Sequence, residues 1–250
     1  MHLTYIFVLV LAGMLVGFIN TLAGGGSSVL YPILIFMGMP IHTAIGTSRV
    51  GFLAQGIFSV AGFKSKGVFL YPFNLYVALS AMTGGLAGAW ISLHTSAQNL
   101  TRILALIMLL IAFLILVQSK IKKTHHNPRL KGKYLIVSIL VYFVIGLYGG
   151  FIQAGMGFMI ILAGTLTNRL NLTQANSIKA LIVLVMTLPA LYMFAVKGFV
   201  NWQAGMFIAL GTAIGSWLTS RWSVKINEKY IRLIIASIVV VLAIKLWWYQ

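Results

Sequence analysis

Two basic residues stand where a bilayer rarely tolerates charge. Arg49 follows Pro40 by nine residues in one apolar run, and Lys179 lies inside another. At helical rise, Arg49 is roughly 13 Å and Lys179 about 10 Å into its element. Both depths approach the middle of a membrane, where a buried charge marks a functional site by default. The chain has no Asp and one acid, Glu228, so neither base has a carboxylate to pair with. Small polar residues accompany both: Thr47 and Ser48 precede Arg49, and Asn176 precedes Lys179. Such a set suits the binding of a small anion. The competing readings are snorkelling to the interface and capping of carbonyl groups at a broken helix.

Broken helices are written into the same regions. The first apolar run, Leu3 to Leu22, ends at Ala23-Gly24-Gly25-Gly26-Ser27-Ser28. A later run, Tyr134 to Ile152, ends at Ala154-Gly155-Met156-Gly157. Glycine interrupts a helix and lets backbone approach a ligand. The helix that restarts presents N–H groups and a partial positive charge. Gly24, Gly25, Gly26, Ser27 and Ser28 therefore form one candidate anion cradle, and Gly155 and Gly157 a second. Asn20 and Gln153, just before the breaks, either donate to the same ligand or cap the broken ends. Close helix packing through small residues is the alternative use of such glycines.

These residues need a membrane to make sense. Hydrophobic residues are 60% of the 250-residue chain and charged residues 8%, against roughly 25% charged in soluble proteins. The reading is an all-α, polytopic integral membrane protein with about ten helical elements. They run Leu3–Leu22, Ser27–Met39, Ile41–Phe63, Leu70–Leu93 and Leu100–Val117, then Tyr134–Ile152, Phe158–Leu170, Thr173–Val196, Trp202–Trp222 and Tyr230–Trp247. The second and seventh are short. A basic stretch, Gln118–Lys133, separates a first repeat (residues 1–117) from a second (134–250).

The two halves align at an offset of 131 residues, from Gly67 to Gly198. That offset pairs Ala44 with Ala175, Phe63 with Phe194, Lys66 with Lys197 and Gly84 with Gly215, and sets Lys179 opposite Ser48, the neighbour of Arg49. Before the breaks, Gly17-Phe18-Ile19-Asn20 matches Gly150-Phe151-Ile152-Gln153. Basic loops face the cytoplasm. That rule places Gln118–Lys133 and the loop with Arg221, Lys225, Lys229 and Arg232 inside, and both termini outside. Five elements per repeat is odd, so the halves are expected to be inverted, with glycine-broken helices meeting near the midplane.

Composition excludes much else. The net charge of +17 follows the positive-inside rule, so no nucleic acid partner is expected. With no cysteine there are no disulfides or thiolate metal sites. His42 and His94 lie near element ends, and His125 and His126 in the basic loop, so neither a proton relay nor a metal site is expected, and no cofactor. An intramembrane hydrolase would need a histidine beside Ser27 or Ser28, so the chain is not read as an enzyme. A structural or translocase subunit remains the main alternative. The N-terminus lacks a basic leader segment, and no cleaved signal is expected. Membrane lipids and a small anionic substrate are the expected partners, and a homo-oligomer is left open.

The motifs themselves resemble a known family. Gly24-Gly25-Gly26-Ser27, Tyr31-Pro32, Ala44-Ile45-Gly46-Thr47-Ser48-Arg49, Phe63 and Lys66-Gly67 are similar to the TauE/SafE family of sulfite and sulfonate exporters. In the second half Gly150-Phe151-Ile152, Gly157-Phe158, Ala175-Asn176 with Lys179, and Gly198-Phe199-Val200-Asn201-Trp202 carry the likeness. The resemblance implies a permease of the cell membrane for sulfite, organosulfonates or related anions. The second glycine turn departs from the fuller triple-glycine form.

Overall fold

The computed structural model describes residues 3–22, 24–65, 67–117, 127–221 and 228–248. Among these residues are ten α-helices and no strand. They are α1 (Leu3–Leu22), α2 (Ser27–Phe36), α3 (Ile41–Lys64), α4 (Phe73–His94), α5 (Ala97–Val117), α6 (Lys133–Phe151), α7 (Met156–Asn168), α8 (Leu172–Val196), α9 (Trp202–Arg221) and α10 (Glu228–Trp248). Lys66, the stretch 118–126 of the basic loop, and Lys225 lie outside the described residues.

Every expected element is present, with small shifts at the ends. Helix α2 stops at Phe36 rather than Met39, because Gly38 turns the chain at φ +88°. Helix α4 starts three residues later than its apolar run, with Pro72 at its N-cap. Helix α5 starts three residues earlier than its run, where Ser96 precedes the first turn and its hydroxyl accepts from Asn99 N at 3.4 Å. Helix α8 opens with a reciprocal cap: the Asn171 side chain accepts from Gln174 N at 2.8 Å, and Asn171 N donates to the Gln174 side chain at 3.1 Å.

Among the described residues, four helices, α1, α4, α6 and α8, are long and apolar enough to cross a membrane. Outward faces carry large apolar side chains such as Phe7, Leu11, Trp90, Leu110, Leu140 and Val144. The interior is mainly apolar but also buries polar side chains, Arg49 and Lys179 among them. Apolar outward faces suit lipid as the surrounding solvent.

The helices pair in a pattern that survives exchange of the halves. The closest associations are α4 with α6, α1 with α9, α3 with α9, α4 with α8, α3 with α8, and α5 with α10. Exchange of first and second halves converts α4–α6 into α9–α1 and α4–α8 into α9–α3, and returns the last two pairs unchanged. Small residues make the tight pairs. Gly13 and Gly17 on α1 abut the backbone of α9 near Gly211 and Thr212, while Gly146 and Gly150 on α6 abut Ala81 and Gly85 on α4. Each pair of glycines is four residues apart, the spacing that brings transmembrane backbones into contact. These crossings fix the C-terminal ends of α1 and α6, and with them the two breaks.

Candidate functional site

The two breaks touch. Gly24 sits at φ +80° with its Cα against Gly157, and a Cβ there would lie 2.5 Å from the Gly157 carbonyl carbon. No L side chain fits both that conformation and that gap. Gly26, at the α2 N-cap, packs on Val16 and Asn20, and the Gly25 carbonyl accepts from Ser28 N at 3.1 Å. Ser27 stitches the breaks together. Its hydroxyl donates to the Gln153 carbonyl at 2.9 Å and accepts from Gly155 N at 3.0 Å. Gly155 caps α7 at φ +63°, and Gln153 beside it adopts φ +65°, a left-handed conformation uncommon for a residue with a Cβ. Strained backbone of this kind gathers at functional sites.

Each base crosses to the other half and caps the end of a broken helix. Lys179 is 4% exposed. Its ammonium donates to the Asn20 and Thr21 carbonyls at 2.8 and 3.1 Å, and to the Asn176 side chain at 2.6 Å. Those carbonyls belong to the last turn of α1, the negative end of the helix dipole. Arg49 is fully buried. It donates from Nη2 to the Gly150 carbonyl, in the last turn of α6, and from Nη1 to Gln153 Oε1 at a long 3.4 Å. Its guanidinium lies 4.8 Å from the centroid of the Phe194 ring, a favourable cation–π contact. The bonds made by both bases match the capping reading. The bases are held at depth by the helix ends that flank the breaks.

The structure brings Asn20, Gly24, Ser27, Arg49, Gln153, Gly155, Gly157, Asn176 and Lys179 together at this junction. Asn20 is tied to α3 through its amide, which donates to Gln55 Oε1 at 3.0 Å, and Gln153 to α8 through Thr187 at 3.3 Å. Thr47 points elsewhere: its hydroxyl accepts from Asn201 N at 2.9 Å, in the link between α8 and α9. The Ser48 hydroxyl donates within its own helix, to Ile45 O at 2.8 Å. Ser28 is buried, with its hydroxyl unpartnered.

Several site residues carried no signal in the sequence reading. Tyr31 on α2 is fully buried within electrostatic reach of Arg49, and packs edge-on against Phe52. Gln55 and Thr187 hold the side chains of Asn20 and Gln153, and Phe194 lies under Arg49. A phenol one helical turn beyond Ser27 and Ser28 is the pattern that could have found Tyr31. Gln55 could have been found as a lone amide six residues beyond Arg49 in an apolar helix.

Two small cavities flank the junction. One, of about 10 Å³, is lined by Asn20, Thr21, Gln55, Ser59 and Lys179 among others. The other, of about 10 Å³, is lined by Asn20, Ser27, Phe52, Gln153, Met156 and Gly157. Each has room for about one water. An oxyanion of several heavy atoms fits neither cavity as it stands.

Comparison with known proteins gives the context. Residues 9–246 match the family described as sulfite exporter TauE/SafE. The chain is 27% identical over 240 residues to the probable membrane transporter protein YfcA of Escherichia coli (strain K12), covering 96% of this chain and 88% of that one. It is 23% identical over 248 residues to the probable membrane transporter protein ORF9 of Sinorhizobium sp, covering 98% and 92%. Identity to the probable membrane transporter protein YdhB of Bacillus subtilis (strain 168) is 26% over 229 residues, covering 87% and 89%. No solved structure matches.

Proposed function

We propose, from the premise that this chain belongs to the sulfite exporter TauE/SafE family of membrane transporters, that it exports a small sulfur oxyanion such as sulfite or an organosulfonate. The observation that carries the reading is the junction itself. Two helix breaks meet, each flanked by a buried base held by the opposite half, in a chain whose only acid is Glu228. Helix-end carbonyls offset these two cations only in part and no carboxylate pairs with them, so the junction keeps a net positive charge that favours an anion over a cation.

Transport would proceed by alternating access. The bonds that cross between halves, from Ser27 to Gln153 and from each base to the other half's first helix, are those that must rearrange as the breaks separate. In the inverted arrangement read from the loops, both termini and the loop at Ser96 face outward and Lys131 faces the cytoplasm. The Lys179-side cavity is also lined by Gln55, Gly56, Ser59 and Phe63, on the half of α3 that ends at Lys64. That end then faces the cytoplasm, the side from which an exporter loads. In a Cys-free chain, Lys131→Cys should label only from the cytoplasm and Ser96→Cys only from outside. The reverse pattern overturns the orientation.

No carboxylate is present in the spans to carry a coupled proton or coordinate Na⁺, so the simplest machine moves the anion alone. One elementary charge is worth about 2.3 kcal/mol per 100 mV, which sustains roughly a fifty-fold outward gradient. The plasma membrane, negative inside, would then drive efflux. The experiment is flux of sulfite and alkylsulfonates from proteoliposomes under an imposed potential. Flux that follows the potential without a pH or Na⁺ gradient is the expected result. Accumulation driven only by a proton or Na⁺ gradient overturns the uncoupled mechanism, and absence of flux for the whole panel overturns the substrate class.

A further inference from the structure

The two bases differ in what they leave unbonded. The Lys179 ammonium has three N–H donors, and all three are engaged, at 2.6, 2.8 and 3.1 Å. The Arg49 guanidinium has five, and its Nε–H is buried without a partner. Two further buried hydroxyls without partners stand on α2, the helix that starts at the first break: Ser28 and Tyr31. They are three residues apart and so share a helix face, one turn from each other. Tyr31 is fully buried within electrostatic reach of Arg49, with the Ser48 hydroxyl, which donates to Ile45 O, nearby but outside hydrogen-bond geometry. Its ring packs on Phe52, which lines the cavity that also touches Gln153, the weakly held partner of Arg49. Buried donors are normally satisfied. Buried donors left without protein acceptors beside a break are available to an anion's oxygens.

We propose that the Arg49 Nε–H and the Tyr31 hydroxyl are the direct ligands of the transported oxyanion, and that Lys179 positions the end of α1 without touching it. This rests on the anion-transport reading above. Binding replaces the long bond from Arg49 to Gln153 by charge-assisted bonds to the anion's oxygens, while Tyr31 donates to a second oxygen of the same group. Release is easy on the Arg49 side, where one bond is long, and difficult on the Lys179 side, where three are short. The ligand chemistry is a compact oxyanion with at least two exposed oxygens on one centre. A sulfite or a sulfonate head group fits that description, and chloride does not.

The test is Tyr31→Phe, which keeps the ring against Phe52 and removes only the hydroxyl. The purified protein in detergent is heated in the presence of sulfite, methanesulfonate or chloride, and the same protein is assayed for sulfite flux in proteoliposomes. The wild type should show flux and oxyanion-dependent thermal stabilisation. Without anion, Tyr31→Phe should melt no lower than wild type, because an unpartnered buried hydroxyl is lost rather than a bond. Its half-saturating sulfite concentration should rise about 10- to 100-fold, the range for losing a hydrogen bond to a charged group. A structural hydroxyl would give the opposite split. If Tyr31→Phe fails to fold or melts markedly lower without anion, the hydroxyl is structural and the assignment is overturned. Should it bind and carry sulfite as wild type does, the anion is received elsewhere while the transport reading stands. If the wild type neither binds nor carries either oxyanion, the transport reading itself falls.

Discussion

The α1 end and the α6 end of the junction are built alike and bonded differently. Both are helix C-termini fixed by glycine-lined crossings, and both receive a cation from the opposite half. At α1, Lys179 closes three short bonds and is saturated. At α6, Arg49 makes one carbonyl bond and one long side-chain bond, rests on Phe194, and keeps an open N–H. A pseudo-symmetric pair of sites can thus divide its labour: one end is held rigid, and the other retains the donors a substrate needs. The chemistry of the two side chains permits this. A lysine ammonium has three donors and is easily filled, whereas the planar fork of arginine has more donors than two acceptors consume.

The comparison can be broken by stability first. Lys179→Met leaves the Asn20 and Thr21 carbonyls and the Asn176 side chain without their cation, each a loss of about 1–3 kcal/mol. We expect a total of about 3–5 kcal/mol, read as a fall in melting temperature in detergent and in membrane yield. Arg49→Met should cost less stability, about 1–3 kcal/mol, yet reduce sulfite flux at least 100-fold. If Arg49→Met is the more destabilising of the two, the assignment of the rigid and the open end is reversed. Arg49→Lys sharpens the point. The charge stays and the fork goes, so flux should fall about tenfold, equivalent to about 1.4 kcal/mol of binding. Normal flux in that variant would show that the site needs only charge. The smallest effect is expected at Gln153→Asn, which still tolerates the left-handed backbone but cannot span to both Arg49 and Thr187. Loss of these two long bonds should cost about 0.5–1 kcal/mol and leave most of the flux. A collapse of flux there would make Gln153, rather than Arg49, the deciding ligand of the α6 end.

Much of the architecture was legible in the sequence because apolar runs in a bilayer are bounded by the same residues that break helices. The ten elements could be read from Pro40, the glycine breaks, Gly67, Gly198 and the basic stretches, with end shifts of at most three residues such as that at Gly38. The depth of Arg49 and Lys179 followed from counting residues at helical rise. Thr47 shows the limit of such counting. It shares a turn with Arg49 but bonds to Asn201, 154 positions away, because the direction of a side chain around its helix depends on which neighbour lies there. Tyr31 shows the converse. Its spacing from Ser27 and Ser28 marks it as a candidate, but its place beside Arg49 arises only because α2 packs against α3.

The sequence alone determined that this chain is a helical membrane protein, where its helices break, and that two bases without carboxylate partners sit deep within it. Composition, periodicity and helical rise act locally, so a single strand of residues carries that information. Only the tertiary structure decided that Gly24 meets Gly157, that each base caps the opposite half's helix, and that Lys179 is saturated while Arg49 is not. Those facts depend on distances between residues more than a hundred positions apart. Such distances are set by glycine-lined helix crossings that bring two separate breaks to one point.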